Sequence, residues 1–116
     1  MYTVKLEDLY HMDYGVTGVV LHRQHWRTGD QWFTPPNGRI NTAIFLPIAC
    51  RIRYYALSGE KIAEAVPGEV VLLPQGAHYS CRFEMHAKPS TDKINAEALF
   101  FGVQLRDGLG REFTLE

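Results

Sequence analysis

Between Tyr54 and Tyr79 the chain reads YYALSGEKIAEAVPGEVVLLPQGAHY, and the punctuation of that stretch leaves little room for a helix. Ser58-Gly59, Pro67-Gly68 and Pro74-Gln75-Gly76 are turn signals in close succession. The apolar runs between them are too short for helices. Glu69-Val70-Val71-Leu72-Leu73, with its β-branched valines, reads as a buried strand. The whole stretch therefore predicts short strands joined by tight turns.

The same pattern extends outward. Residues 15–27, GVTGVVLHRQHWR, predict a long strand, followed by loop signals at Thr28-Gly29-Asp30 and Thr34-Pro35-Pro36-Asn37-Gly38. Residues 39–46 predict a strand with Ile40, Thr42, Ile44 and Leu46 on one face. Pro47 breaks or edges the sheet, and residues 48–57 resume it. Further strands are expected at 61–66, 79–85 and 96–105, the last with Leu99, Phe101, Val103 and Leu105 pointing inward. Within residues 1–14, Tyr2 to Tyr10 reads as a strand or a loose arm. Residues 86–95, HAKPSTDKIN, are polar and expected to form a mobile loop. No capped amphipathic helix is visible. About eight short strands with Gly/Pro turns predict an all-β fold, a closed jelly-roll barrel that removes exposed strand edges.

Composition narrows the function classes. A chain of 116 residues that is 46% hydrophobic can bury a core as a single domain. Its formal charge of −1 gives no electrostatic footprint for nucleic acid or an anionic membrane. No apolar run approaches the roughly 20 residues a membrane helix needs. The opening MYTVKLEDLY lacks the apolar core of a signal peptide, so a cytoplasmic protein is expected. Cys50 and Cys81 have no CxxC spacing; buried free thiols are the expectation, with a disulfide or a metal pair the alternatives.

The spacing Gly68, Pro74, Gly76 resembles the second motif of the cupin superfamily, and the Leu57-Ser58-Gly59-Glu60 turn resembles the end of the first. The resemblance implies a double-stranded β-helix, the jelly-roll barrel of cupins. Enzymatic cupins hold a metal with two histidines and a glutamate from the first motif and a histidine from the second. Aligned on Gly59, Gly68, Pro74 and Gly76, those positions fall here on Leu46, Ile48, Ile52 and Tyr79. A divalent ion is not held by leucine and isoleucine. No metal or other cofactor is therefore expected. His78 lies one residue short of the family spacing, and one residue along a strand reverses the face. His22 and His25, three apart on a strand, point to opposite faces. No serine or cysteine sits in a recognisable triad, so no catalytic set is expected.

A barrel whose metal positions are apolar still encloses a space. By parity with those positions the expected wall is Ile44, Leu46, Ile48, Ile52, Tyr54 and Tyr79, with Ile40 beside them and His22 and Trp26 added from the long strand. These residues line a small-molecule pocket or simply fill a packed core. Tyr54, Tyr79, Trp26 and His22 carry polar handles that a purely structural core would not need. The metal-free pattern, carried by residues 54–60, 67–74 and 76–79, resembles the N-terminal sensing domain of AraC-type bacterial transcription regulators. That resemblance implies a small-molecule effector, a homodimer as one arrangement, and DNA contact only through a helix-turn-helix part outside these residues. A stand-alone metal-free binding cupin and a cupin enzyme with atypical ligands are the competing readings.

Overall fold

The computed structural model describes residues 1–85 and 96–116. The segment expected to be a mobile loop, 86–95, lies outside the described residues. Among the described residues ten strands follow one another: β1 (Tyr2–Val4), β2 (Tyr14–Trp26), β3 (Gln31–Phe33), β4 (Thr42–Pro47), β5 (Cys50–Tyr55), β6 (Lys61–Ala65), β7 (Val71–Leu73), β8 (Ser80–Met85), β9 (Ala96–Asp107) and β10 (Glu112–Leu115). A short 3-10 helix, Leu6–His11, separates β1 from β2.

The strands divide into two sheets. One runs β1-β10-β9-β4-β7, with β2 paired to β9 as well; the other runs β3-β8-β5-β6. The first sheet is mixed, because β1 lies parallel to β10 while the remaining pairs are antiparallel. Among the described residues no ladder joins the two sheets, so the strands form stacked layers and not the closed barrel expected from edge removal.

The turn signals work as the sequence implies. Gly59 N–H donates to Ala56 O, Glu69 N–H to Val66 O and Ala77 N–H to Pro74 O, closing the three turns of the Tyr54–Tyr79 stretch. These turns send β5 into β6 within one sheet, then move the chain to β7 in the other sheet and back to β8. The strand before β8 is shorter than expected, since Val70 stays exposed and only Val71–Leu73 pairs with β4.

Register decides which face each residue takes. Ala43 pairs with Gly102 and Leu73, and Phe45 with Phe100 and Val71. Val20 also pairs with Gly102, and His22 with Phe100. Directly paired residues share a face, so Ala43, Phe45, Phe100, Val20 and His22 all look toward the second sheet. Ile52 pairs with Phe83 and Ala65, and Tyr54 with Cys81, building the opposing wall. Ile52 and Phe83 are essentially fully buried there.

A second cluster lies on the other face of the first sheet. Val4, Val103, Leu105, Phe113 and Leu115 are buried together, with Leu9, Met12 and Leu72 packed against them. The N-terminal residues are thus engaged: β1 pairs with β10, and the 3-10 helix brings Leu9 onto this cluster. The expected inward face of β9 is corrected here. Val103 and Leu105 are buried, yet in this outer cluster; Leu99 is half-buried and Phe101 is 38% exposed on the same face. Ala98 and Phe100 are the residues that point between the sheets.

Candidate functional site

The space between the sheets is a cavity of about 410 Å³ that opens to solvent beside His22 and Ile40. That volume lies in the range of small-molecule sites. Its floor is aromatic. Trp26 stacks flat on Phe83 with ring centres 4.1 Å apart, and Phe45 meets both Phe83 and Phe100 at about 6 Å. Tyr54 stands edge-on to Tyr79 at 5.4 Å, and Trp32 from β3 tilts against Tyr79 at 5.8 Å.

Arg39 enters this apolar space from the connection between β3 and β4, and it is 7% exposed. Its placement follows from two turns meeting. Gly38 takes φ +85°, and a Cβ there would lie 2.4 Å from the carbonyl oxygen of Gly76. Only glycine allows that approach. The contact lets Gly76 N–H donate to Arg39 O at 2.8 Å and Arg39 N–H donate to Ala77 O at 3.0 Å. The Pro74–Gly76 turn therefore clamps the arginine backbone. Two residues on, Tyr79 receives its side chain: Nη1 of Arg39 donates to Tyr79 Oη at 3.0 Å. Nη2 donates to Asn41 Oδ1 at 2.6 Å and Nε to Asn41 O at 3.2 Å.

Neighbouring groups hold the frame. Thr34 Oγ1 donates to Tyr79 O and accepts from Tyr79 N–H, fixing the start of β8 against the loop after β3. Gly102 clears room for Asn41, since a Cβ there would sit 2.6 Å from Asn41 Nδ2. The guanidinium lies over the rings of Phe100 (5.2 Å) and Trp32 (5.8 Å). Among the described residues, Arg39 is the only Arg, Lys, Asp or Glu in the cavity wall.

Burial keeps the thiol and phenol groups of the wall neutral. Burial pushes the Cys81 thiol up to about 12. Burial also raises the Tyr54 phenol, with Cys81 and Tyr79 adding to the effect. Tyr79 is raised by burial too, against an opposing pull from Arg39. Cys50, deeper in the same core, is pushed to about 11 by burial. Both cysteines are unbridged. The β5–β8 register pairs Tyr54 with Cys81, which leaves Cys50 four residues further along, about 13 Å at the usual strand rise. A disulfide spans less than half of that.

Of the wall expected from the sequence, Tyr54, Tyr79, Trp26 and His22 line the cavity, as does Ile40 at its mouth. Ile44, Leu46, Ile48 and Ile52 do not. Ile44 and Leu46 sit on the opposite face of β4, where Ile44 is 39% exposed. Ile48 is exposed in the connection to β5, its N–H donating to Glu97 O. Ile52 points inward but is closed off from the cavity by the packing around Phe83 and Ala65. The parity error has a simple source. The expected wall follows the even positions, because the cupin metal positions fall on Leu46 and Ile48, whereas on β4 and just before it the odd positions Arg39, Asn41 and Phe45 line the cavity.

Arg39, Asn41, Trp32 and Phe45 were not read as site residues. Phe45 supplied the available signal: stepping back from it in twos reaches Ala43, Asn41 and Arg39. His78 is exposed, while Tyr79 beside it is buried. Among the described residues no group of three His, Cys, Asp or Glu side chains is placed to hold a metal ion. No protein-family model matches the chain, and no curated protein is significantly similar to it.

Proposed function

We propose that this chain is the effector-sensing domain of an AraC-type transcription regulator, a double-stranded β-helix of the cupin kind that acts in the cytoplasm by binding a small molecule and not by catalysis. The observation that carries the reading is the cavity between the sheets, aromatic-walled and pierced by one buried, hydrogen-bonded guanidinium. A domain that needed only a core would gain nothing from burying Arg39, whose desolvation costs several kcal/mol before any compensation.

Strand order supports the jelly-roll assignment. Leaving aside β1 and β10, the sheets read β2-β9-β4-β7 and β3-β8-β5-β6. Eight strands divided four and four, with long-range partners for the first and last, fit two Greek keys. No helix is long and apolar enough to cross a membrane among the described residues, which fits a domain reached by a dissolved effector.

The mechanism in this reading is a population shift. An effector filling the cavity touches both sheets, through Phe45 and Phe100 on one side and Tyr54 and Tyr79 on the other. It favours whichever arrangement of the two layers it fits better, and the regulator's DNA-binding part responds. The test is the coding frame beyond the codon for Glu116, with the complete product then assayed on a reporter. A frame carrying two helix-turn-helix patterns, and a reporter that responds to a cavity ligand but not after Phe45→Trp blocks the cavity, is the expected result. A frame without any DNA-binding region overturns the regulator assignment and leaves a stand-alone binding protein.

A further inference from the structure

From the surroundings of Arg39 we infer that the cavity takes a small monocarboxylate with a flat apolar or aromatic body, its carboxylate seated on the Arg39 guanidinium. The inference rests on reading the cavity as a ligand site and adds the ligand's charge and shape.

Four other arginines form ion pairs, each on the outside of the molecule. Arg23 meets Glu97, Arg51 and Arg53 meet Glu64, Arg53 also meets Glu84, and Arg111 meets Asp107. Among the described residues Arg39 is the one buried arginine, and none of its three acceptors there carries a charge: the Tyr79 hydroxyl, the Asn41 side-chain oxygen and the Asn41 carbonyl. Among the described residues no carboxylate pairs with it. A buried cation without a counter-ion is the costly case. An anion arriving from outside removes that cost and finds a site already oriented.

The donor count leaves room for it. A guanidinium has five N–H groups in a fixed fork. The described residues use three, so one N–H on each of Nη1 and Nη2 stays available for the two oxygens of a carboxylate. Tyr79 and Asn41 act as positioning residues, because they fix the plane of the fork without neutralising it.

The rest of the wall decides the class of anion. A phosphate ester brings about two charges and three strong acceptors, and among the described residues the wall holds no second arginine or lysine to meet them. A carboxylate brings one charge and needs one fork. Its body then meets Trp32, Phe45, Phe83 and Phe100, ring faces and edges suited to a flat apolar group. A sugar would bring many polar atoms to these rings, with uncharged partners only at Asn41, Tyr54 and Tyr79 inside and His22 and Gln24 at the mouth among the described residues.

The experiment compares acids with their neutral isosteres on the purified chain. Benzoate, 3-phenylpropionate and indole-3-acetate are titrated by calorimetry at pH 7 alongside the corresponding amides, with thermal shift as a second readout. At least one acid is expected to bind tenfold or more tightly than its amide, and Arg39→Met is expected to abolish that preference while amide binding persists. Arg39→Lys keeps the charge without the fork and should retain a reduced preference, which gives a second variant if Arg39→Met fails to unfold cooperatively. Equal binding of acid and amide in the unaltered chain overturns the carboxylate inference and leaves the cavity a ligand site. Binding of neither member of any pair overturns both.

Discussion

Two buried clusters lie on opposite faces of the same sheet, and they differ in what they contain. The outer one, centred on Phe113, holds Val4, Val103, Leu105 and Leu115, with no titratable side chain. The inner one surrounds the cavity and includes Cys50, Cys81, Tyr54 and Tyr79, with Arg39 and Asn41 buried beside it. Both derive from alternating strands of similar length. The outer cluster shows that this sheet packs well on aliphatic and aromatic carbon alone. In the inner cluster Arg39, Asn41, Tyr54, Tyr79 and Cys81 converge on one open space, and that contrast is the basis of the ligand proposal.

The largest effect that sharpens the contrast is expected at Phe113. The ring is fully buried and touches Tyr2 and Tyr14 as well as the aliphatic cluster. Phe113→Ala should cost about 3–5 kcal/mol of unfolding free energy, read from urea denaturation. A loss below about 1 kcal/mol would mean that the cluster is not the packed region described.

The next effect separates the clusters by pH. Burial raises the Cys50 and Cys81 thiols from an ordinary value near 9 to about 11 and about 12. The unfolded chain then releases these protons first. The stability they contribute is complete below pH 9 and is lost as pH climbs towards 11–12. Thermal unfolding between pH 8 and 11 should show a falling Tm, and a flatter profile in Cys81→Ala. An unchanged slope in that variant would count against a protonated thiol in the cavity wall.

How much of this was legible in the sequence depended on whether local chemistry or tertiary pairing decided the outcome. The turns at Ser58-Gly59, Pro67-Gly68 and Pro74–Gly76 were legible because Gly and Pro fix backbone geometry whatever surrounds them. The long strand β2 and the strand ending at Met85 were legible for their apolar patterning. β3 was not: Gln31–Phe33 is three residues between two loop signals, and it forms because Trp32 pairs opposite Cys81. The face of β4 was read backwards because both faces of that sheet are covered in part. Ile44 lies in a row with Leu21, Phe101 and Leu72 on the outer side, so aliphatic character does not mark the inside. Arg39 was invisible for the same reason: charge at a strand's start normally signals solvent.

The smallest effect tests that reversal. Ile44→Ser, on the partly exposed outer face, should change stability by less than about 1 kcal/mol in urea denaturation. Its neighbour Phe45, 5% exposed, should cost about 3–5 kcal/mol as Phe45→Ala. Equal losses at the two positions would erase the distinction between the faces.

The central claim is that Arg39 and Tyr79 serve a ligand and not the fold. The most direct measurement is the stability of the ligand-free double variant Arg39→Met, Tyr79→Phe, which removes the cation and its phenolic acceptor together. Replacing buried charged groups by apolar ones of similar size is often neutral or stabilising. Unfolding free energy within about 1 kcal/mol of the unaltered chain, or higher, is the expected result. A loss above about 3 kcal/mol, the size seen when a structural buried ion pair is broken, would make the guanidinium part of the framework and contradict the account.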